Sequence, residues 1–322
     1  MCDYASSTQR EHWLHDTAAQ VDARRARARV ETFERAKASS ESSSSAMETE
    51  ALTPEEERTI VRYHEAKIQS VCGAFALPRK VKNTAVMLFK RFAVDCGTHA
   101  HSLKIMMLTS VYVACKVEES YISAEEFCKG VREDPSRVLA AEVTFLSGLK
   151  FRLVCYGATR PLDGFLMDVE DGGCKGATSK QLIECRKKAL DIVDRLMLTD
   201  APLIRPPGQI ALCALRRAAR ECGASELEKY CEDVGARGTT KAPRGAKLKE
   251  ILDDIESHVD EGVEPDAAVV KEIDKKLKLW RAKYLAKTPA ADDAGDAQKA
   301  AKRRKSEQSR QDMIAAEEDA LG

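Results

Sequence analysis

The sequence is poor in aromatic residues and carries no net charge. Phe, Trp and Tyr make up only 5% of the 322 residues, so we expect a core built from Leu, Val, Ile, Ala and Met. Lys+Arg and Asp+Glu are equal at 52 each. This balance argues against a protein that coats nucleic acid or an anionic membrane through a basic excess.

Long apolar runs and paired cysteine motifs are also missing. No run of roughly 18 apolar residues occurs, so we predict no transmembrane segment. The opening "MCDYASSTQREHW" lacks the apolar stretch of a signal peptide. The 11 cysteines form no CxxC pair, which indicates neither a zinc framework nor a disulfide scaffold. Scattered free thiols fit a reducing compartment, and we expect a cytosolic or nuclear protein.

Signatures of catalysis are absent as well. The segment "GGCKGATS" at 172–179 is not a phosphate-binding loop, because Lys175 precedes Gly176 instead of following it. The six histidines include no HExxH pair, and His99 and His101 are interpreted as surface turn residues. No GxSxG motif occurs, and no cysteine is marked out as a nucleophile. We predict a protein that is not an enzyme and has neither a cofactor nor a metal site.

What the sequence does contain is a succession of amphipathic helices. Apolar residues recur with a helical period after each helix start, and no stretch sustains a period of two, so no sheet is predicted. Two of the starts, at Thr53 and Ser123, carry a Glu three residues later and predict capping boxes. The five predicted starts are at Thr53–Pro54, Pro78, Ser102, Ser123 and Asp134–Pro135. Five helices joined by short turns predict a compact helical domain, with Leu139 and Val143 among the inside residues of the fifth helix.

A second copy of this domain follows. "AVMLFKRFAV" (85–94) aligns with "ALDIVDRLML" (189–198) at a shift of 104, and the same shift relates Leu108 to Leu212 and Ala114 to Ala218. We predict an all-α fold of two five-helix repeats with additional N-terminal and C-terminal helices. The predicted divisions are 1–52 for an exposed charged helix and a Ser-rich link, 53–155 and 156–262 for the repeats, 263–287 for a C-terminal helix, and 288–322 for a disordered tail.

The stretch "VACKVEES" (113–120) places Lys116 in an otherwise apolar helical run. A lysine there either extends its stem to solvent or has a partner. Glu142 is a similar charge on the fifth predicted helix, between Val138 and Leu146. Taken alone, Lys116 is explained by a stem that extends to solvent, and Glu142 by a position on the rim of an amphipathic helix. A pair of this kind without catalytic neighbours indicates an interface.

Taken together, these features of the sequence resemble the cyclin family. The resemblance rests on the two five-helix repeats, on "ACKVEE" at the end of the third helix, and on a Glu seven residues before the Leu of "LKF". In cyclins a Lys and a Glu at these places form the centre of the kinase-binding surface, which implies that role for Lys116 and Glu142. The apolar contacts of the family fall on Val117, Leu146, Phe151 and Leu153.

Further segments resemble one branch of the family, which serves the CDK-activating kinase and general transcription factor IIH. They are "YASSTQREHW", "FKRF", "RPLDGFLMDV" and "LTDAPLIRPPGQIAL". The resemblance implies three partners: the cyclin-dependent kinase of that complex, a RING-finger assembly factor and the core of general transcription factor IIH. It also implies that the N-terminal helix, with Tyr4 and Trp13, lies near the kinase interface. The basic cluster Lys302, Arg303, Arg304 and Lys305 suits a nuclear-import signal and predicts a nuclear protein.

The function predicted from this resemblance is that of a regulatory subunit that binds and activates a cyclin-dependent kinase. One alternative is a cyclin of the type that partners the Mediator kinase. Another is a DNA-binding factor with the double cyclin fold of transcription factor IIB, which the neutral charge and the Lys116–Glu142 pair oppose. We expect no direct contact with nucleic acid or membrane. The chain departs from the family at Thr159, where a Tyr is usual, and matches it poorly after Gly235.

Overall fold

The computed structural model describes residues 4–39, 44–174, 178–234 and 243–285, and these residues form helices joined by turns. The α-helices are α1 (Thr8–His12), α2 (Ala18–Ser39), α3 (Ser44–Glu50), α4 (Pro54–Ala74), α5 (Arg79–Cys96), α6 (Leu103–Val117), α7 (Ala124–Val131), α8 (Pro135–Gly148), α9 (Thr159–Asp168), α10 (Ser179–Leu196), α11 (Ala201–Ile204), α12 (Pro207–Glu221), α13 (Ser225–Asp233), α14 (Pro243–Ser257) and α15 (Ala267–Tyr284). No strand occurs in these ranges, which confirms the all-α prediction. Within the same ranges, no helix has the length and apolar character needed to cross a membrane.

The helix starts follow local capping chemistry. The Thr53 hydroxyl accepts a hydrogen bond from the Glu56 N–H at 3.2 Å, and the Glu56 carboxylate accepts one from the Thr53 N–H at 2.7 Å. These two bonds form the predicted capping box at the start of α4. The Ser123 hydroxyl accepts from the Glu126 N–H at 3.1 Å at the start of α7. The Asp134 side chain caps α8 ahead of its first-turn proline.

Each repeat is built around a central buried helix. In the first repeat α4, α5, α7 and α8 surround α6, which is buried on nearly all sides from Leu103 to Cys115. In the second repeat α9, α10, α13 and α14 surround α12 in the same way. A shift of 104 residues superposes both ends of α6 on both ends of α12. The prediction of two related five-helix repeats is therefore confirmed.

A polar interface fixes the two repeats against one another. Asp194 on α10 accepts hydrogen bonds through Oδ2 from Arg79 Nη1 and from Lys82 Nζ, both at 2.6 Å. The Gln69 side-chain amide donates to the Asp194 backbone carbonyl at 2.8 Å. These three donors lie on the first repeat, so one aspartate of the second repeat holds α4 and α5 in place.

The N-terminal helix α2 was predicted to be exposed, and this prediction is wrong. Val21, Ala28 and Ala36 lie on one face of α2 and are buried, and α2 packs along α5. Three arginines of the same helix make ion pairs with both repeats. The pairs are Arg24–Asp95 at 2.6 Å, Arg25–Asp200 at 2.6 Å and Arg29–Glu57 at 2.8 Å. The charged face of α2 therefore joins the repeats, and only some of its charges are left to solvent.

A second, smaller hydrophobic core lies where α15 meets α2 and α3. Trp280 and Tyr284 of α15 pack with Ala36 of α2, with Met47 of α3, and with Ala51, which directly follows α3. Helix α3 begins at Ser44, inside the stretch predicted as a Ser-rich link. Amphipathic packing against α15 explains this difference, because a short helix gains its stability from the face that it buries.

His99 lies beside this small core, and its interpretation as a surface turn residue is wrong. Its side chain is buried, and its ring meets the Trp280 ring edge-on at a centroid distance of 4.8 Å. His101 is half-buried next to Phe92. Burial of His99 removes it from any role that needs contact with solvent.

Candidate functional site

Lys116 and Glu142, the two charges singled out in the sequence, form an ion pair. Lys116 Nζ donates a hydrogen bond to Glu142 Oε1 at 2.6 Å. Lys116 lies in the last turn of α6, where the negative end of the helix dipole favours a cation. Glu142 lies in the middle of α8, which packs against α6. The packing of these two helices therefore brings together residues 26 positions apart in sequence.

The pair is charged and lies at the surface. The Lys116 ammonium also lies 4.4 Å from the centroid of the Tyr112 ring, a cation–π distance. Burial alone would lower the pKa of Lys116, but the hydrogen bond to Glu142 and the Glu142 charge raise it above its ordinary value. The side chains of Lys116 and Glu142 are 42% and 18% exposed. A partner can therefore reach both groups without unfolding either helix.

An apolar stripe on α8 accompanies Glu142. Leu139, Glu142, Val143 and Leu146 occupy positions i, i+3, i+4 and i+7, which fall on one face of a helix. Leu139 and Val143 are 42% and 66% exposed, so their prediction as inside residues is wrong. The core-facing stripe of the same helix consists of Val138, Ala141, Phe145 and Leu149. Helix α8 thus has two apolar faces, and the residues that the structure describes cover only one of them.

Phe151 extends this surface from a strained turn. Lys150 and Phe151 have φ angles of +53° and +55°, a left-handed conformation that is unusual for side chains of this size. The Phe151 N–H donates to the Leu146 carbonyl at 3.0 Å, which closes the end of α8. The Phe151 side chain is mostly exposed. Backbone strain of this kind clusters at functional sites, which makes Phe151 a candidate contact residue.

The remaining predicted apolar contacts lie partly in the core. Val117, Leu146 and Leu153 are half-buried and pack against the main hydrophobic core. We call Lys116, Leu139, Glu142, Val143, Leu146 and Phe151 the α6–α8 surface. Leu139 and Val143 were missed as surface residues because apolar side chains are normally assigned to the core. The signal that could have found them is the second apolar stripe on α8.

The two N-terminal aromatic residues have different surroundings. The Trp13 ring is buried, with the guanidinium groups of Arg24 and Arg91 at 5.5 Å and 5.2 Å from its centroid. The half-buried Tyr4 ring meets the Tyr156 ring edge-on at 5.6 Å. Trp13 is therefore a core residue, whereas Tyr4 packs against Tyr156 in the connection between α8 and α9. The basic cluster at 302–305 lies outside the described residues.

Two family models match the chain, one on each repeat. The model described as the cyclin N-terminal domain matches residues 30–154, and the model described as the cyclin C-terminal domain matches residues 158–260. Together they span the two helical repeats and the end of α2.

Individual proteins are similar over longer stretches. Cyclin-H1-1 of Arabidopsis thaliana is 38% identical over 228 residues, which cover 70% of this chain and 68% of that protein. A chain of the CAK complex of Chaetomium thermophilum bound to ATP-γ-S superposes with a TM-score of 0.76 at 22% identity and covers 94% of each chain. A chain of the yeast TFIIK (Kin28/Ccl1/Tfb3) complex gives a TM-score of 0.64 at 24% identity, covering 80% of this chain and 100% of that one. At these identities the two solved structures show a shared fold.

Proposed function

We infer that this chain, which belongs to the cyclin family and to its cyclin H branch, is the regulatory subunit that binds and activates a cyclin-dependent kinase. Members of this branch are regulatory subunits and not enzymes. The 38% identity to a cyclin H favours this branch over a cyclin of the Mediator type.

The observation that carries the proposed contact is the α6–α8 surface. It combines one accessible ion pair with exposed apolar side chains on a single helix face. Apolar side chains that remain exposed beside an ordered charge pair are typical of a protein–protein interface. We assign the kinase to this surface, with Lys116 and Glu142 near its centre.

The mechanism follows from kinase chemistry. An inactive kinase holds its αC helix rotated outward, so that the αC glutamate cannot pair with the lysine that positions the ATP phosphates. A protein that binds only the inward state shifts the equilibrium by its difference in affinity for the two states. Helix α6 suits this task because it is buried on nearly all sides and offers a rigid support for Lys116. The cyclin itself contributes no catalytic residue.

The arginine-rich stretch of α2 gives no support to the alternative of a DNA-binding factor. Arg24, Arg25 and Arg29 are engaged in ion pairs with carboxylates of the two repeats. Phosphate contacts need cations that can exchange solution counterions for nucleic acid. A mobility-shift titration with duplex DNA over a salt series should therefore show no binding beyond that of a neutral control protein.

Calorimetric titration of a purified kinase of the CDK-activating class tests the contact surface. Lys116→Ala and Glu142→Ala should each weaken binding by roughly 30-fold, because removal of one partner from a desolvated charge pair typically costs about 2 kcal/mol or more. Lys104→Ala is the matched control. Lys104 also pairs with a glutamate, Glu133, at 2.7 Å, but at the opposite end of α6.

The control variant should bind the kinase as the wild type does. Circular dichroism of each variant should show unchanged helical content, since an exposed ion pair contributes about 1 kcal/mol or less to folding. Wild-type affinity in both Lys116→Ala and Glu142→Ala would show that the kinase does not bind at this surface. Loss of affinity together with helicity would instead assign the pair a structural role.

We also propose a RING-finger assembly factor and the core of general transcription factor IIH as further partners. Support comes from the similarity in fold to a chain of the yeast TFIIK complex, which contains three proteins. Affinity purification of the full chain from a nuclear extract, followed by mass spectrometry, tests this proposal. Recovery of the kinase without a RING-finger protein would limit the assembly to two components.

A nuclear location is proposed on the basic cluster at 302–305, which lies outside the described residues. Replacement of Lys302, Arg303, Arg304 and Lys305 by Ala should reduce nuclear accumulation and leave kinase binding intact. Lys299→Ala serves as the control, because it removes a charge near the cluster without breaking it. Unchanged nuclear accumulation of the fourfold variant would show that import relies on another segment or on a partner.

A further inference from the structure

Helix α10 of the second repeat exposes a large apolar side chain between two lysines. Ile183 is 72% exposed, which is unusual for an isoleucine in a folded domain. Lys180 and Lys187 are exposed and lie one turn before and one turn after Ile183, so the three side chains share one side of α10. Arg186 lies beside them and is also exposed. We call Lys180, Ile183, Arg186 and Lys187 the α10 face.

Helix α9 contributes a second exposed apolar side chain next to this face. Arg186 Nε donates to Asp163 Oδ1 at 2.9 Å, which joins α10 to α9. Met167 lies one turn beyond Asp163 on the same side of α9 and is 62% exposed. An ion pair between the two helices is thus accompanied by an exposed apolar side chain on each of them.

The internal repeat shows what such a face does when it is covered. The shift of 104 residues relates buried positions of α10 to buried positions of α5, for example Cys185 to Val81 and Leu196 to Phe92. Under this shift, three members of the α10 face correspond to residues near the start of α5. The corresponding pairs are Ile183 with Arg79, Arg186 with Lys82, and Lys187 with Asn83.

All three of these α5 residues contact the second repeat. Arg79 and Lys82 each donate to Asp194 at 2.6 Å. Asn83 is buried, and its side-chain amide donates to Thr159 Oγ1 at 2.9 Å. On the first repeat this face is therefore covered by helices of the second repeat, one of which brings a carboxylate to the basic residues. On the second repeat the corresponding side chains are exposed.

The charges of the α10 face indicate what kind of ligand would cover it. The ion pairs of α9 and α10 leave Lys180 and Lys187 without a carboxylate partner among the described residues. Two such lysines around an apolar side chain are complementary to a ligand with carboxylates around an apolar side chain. Phosphates of nucleic acid would match the lysines but would leave Ile183 without an apolar contact.

We propose that the α10 face binds an acidic amphipathic helix of a partner protein. An apolar side chain of that helix packs against Ile183 and Met167, and its carboxylates pair with Lys180 and Lys187. The partner helix thereby covers the second repeat as α10 covers the first. The α10 face lies on the second repeat and the α6–α8 surface on the first, so the two contacts are independent.

A synthetic probe and the full-length chain test this assignment. The probe is a fluorescein-labelled, Ala-based helical peptide of about 20 residues, with Leu at positions i, i+4 and i+7 and Glu at the positions beside them. Fluorescence anisotropy at low ionic strength should show binding to the wild-type chain. Ile183→Asp should weaken that binding at least about tenfold, because the new carboxylate meets the apolar side chains and the acidic residues of the probe.

A reciprocal exchange of charge tests the two lysines. The double variant Lys180→Glu, Lys187→Glu should lose affinity for the acidic probe by roughly tenfold. The same variant should bind a probe in which every Glu is replaced by Lys, whereas the wild-type chain should not. Both effects should become smaller as salt is added, because salt screens exposed charges.

Leu279→Asp is the matched control for Ile183→Asp. Leu279 is 64% exposed on α15, and Lys276 and Lys283 flank it at the same spacing as the two lysines of the α10 face. These two lysines differ in being paired already, with Glu56 at 2.8 Å and with Glu50 at 2.6 Å. Leu279→Asp should therefore bind the acidic probe as the wild type does.

Ile183→Asp should keep the wild-type melting temperature and the wild-type affinity for the kinase, since the side chain is exposed and lies outside the α6–α8 surface. No binding of the acidic probe to the wild-type chain, or equal binding to Ile183→Asp, would overturn the proposal. Self-association of the wild type that Ile183→Asp abolishes would assign the face to a second copy of this chain instead. Binding of duplex DNA that the double lysine variant abolishes would assign it to nucleic acid.

Discussion

The indole Nε1 of Trp280 donates a hydrogen bond to the backbone carbonyl of Met47 at 3.0 Å, although the two residues are 233 positions apart. The Trp280 ring also packs against Phe33 of α2 and against His99. The C-terminal helix α15 is thereby fixed to α3 and to α2. The arginines of α2 also reach both repeats, so the packed outer helices α2, α3 and α15 connect the two repeats.

Trp280→Ala should be among the most destabilising single substitutions in α15. It removes a fully buried ring and leaves the Met47 carbonyl without its donor, and Trp→Ala changes of this kind cost about 3–5 kcal/mol. Urea denaturation followed by circular dichroism measures the loss. The neighbouring Leu279 is mostly exposed, so Leu279→Ala should change the free energy of unfolding by roughly 0.5 kcal/mol or less. Equal effects of the two substitutions would show that the buried face of α15 does not stabilise the fold.

The ion pair between Arg25 and Asp200 predicts a loss of stability in acid. Arg25 donates through both terminal nitrogens to the Asp200 carboxylate, at 2.8 Å and 2.6 Å. Burial alone would raise the pKa of Asp200, but the hydrogen bonds from Arg25 lower it from 3.8 to about 2. Because the pKa is lower in the folded state, the stabilisation is present above a pH of about 3.8 and is lost as the pH falls toward about 2.

Arg25→Ala should therefore cost about 2 kcal/mol near neutral pH, and the difference from wild type should shrink as Asp200 is protonated. Arg27→Ala is the control on the same helix. The Arg27 side chain is mostly exposed, and its nearest carboxylate, on Glu31, is 3.9 Å away. Thermal unfolding of both variants over a pH series provides the measurement. A cost for Arg25→Ala that does not change with pH would assign the effect to lost packing.

His99 provides a second contribution in the same direction at milder pH. Burial, and after it the charge of Arg29, lowers the pKa of His99 from 6.5 to about 3. The neutral ring accepts a hydrogen bond at Nε2 from the Leu52 N–H at 3.2 Å. Below a pH of about 6.5 the unfolded chain binds a proton at His99 and the folded chain does not, so stability falls as the pH falls. The expected loss between pH 6.5 and 5 is about 2 kcal/mol.

Protonation of Glu57 also changes the stability in this pH range, and its effect must be separated from that of His99. Its carboxylate lies 3.3 Å from His99 Nδ1, and burial raises its pKa to about 7, so its protonation favours the folded state as the pH falls. The measured quantity is therefore the difference in unfolding free energy between wild type and His99→Gln at each pH. That difference should decrease with falling pH, while the half-exposed control His258→Gln should follow wild type. Parallel pH curves for wild type and His99→Gln would contradict a neutral His99.

The parts of the fold that depend on local chemistry could be predicted from the sequence. The Thr53–Glu56 capping box is a local pattern, and the structure contains it. The shift that relates α6 to α12 follows from comparing two stretches of sequence, and the structure contains it too. His99 was misjudged because its burial depends on Trp280, which lies far along the chain in another helix. The arginines of α2 were misjudged for the same reason, since their carboxylate partners lie on α4, α5 and the second repeat.

The candidate site shows a similar division. The Lys116–Glu142 contact was expected from two charges in apolar runs and from the resemblance to cyclins, and the 2.6 Å distance agrees with it. The exposed stripe of Leu139 and Val143 was assigned to the core, because periodicity reports that a helix has apolar faces but not which face meets a partner. The assignment of these residues to kinase binding is still a prediction.

Val143→Asp tests that assignment directly and rests on the proposed function. Val143 is 66% exposed in the free chain, so the new carboxylate remains solvated and the helical content should not change. In the complex the same carboxylate would be buried without a partner, and binding should weaken by roughly 100-fold or more. Ile183→Asp is the matched control, because Ile183 is equally exposed but lies on α10 of the second repeat. Calorimetric titration of the kinase with both variants should show a loss for Val143→Asp alone. Wild-type affinity in Val143→Asp would place the second apolar face of α8 against a different partner.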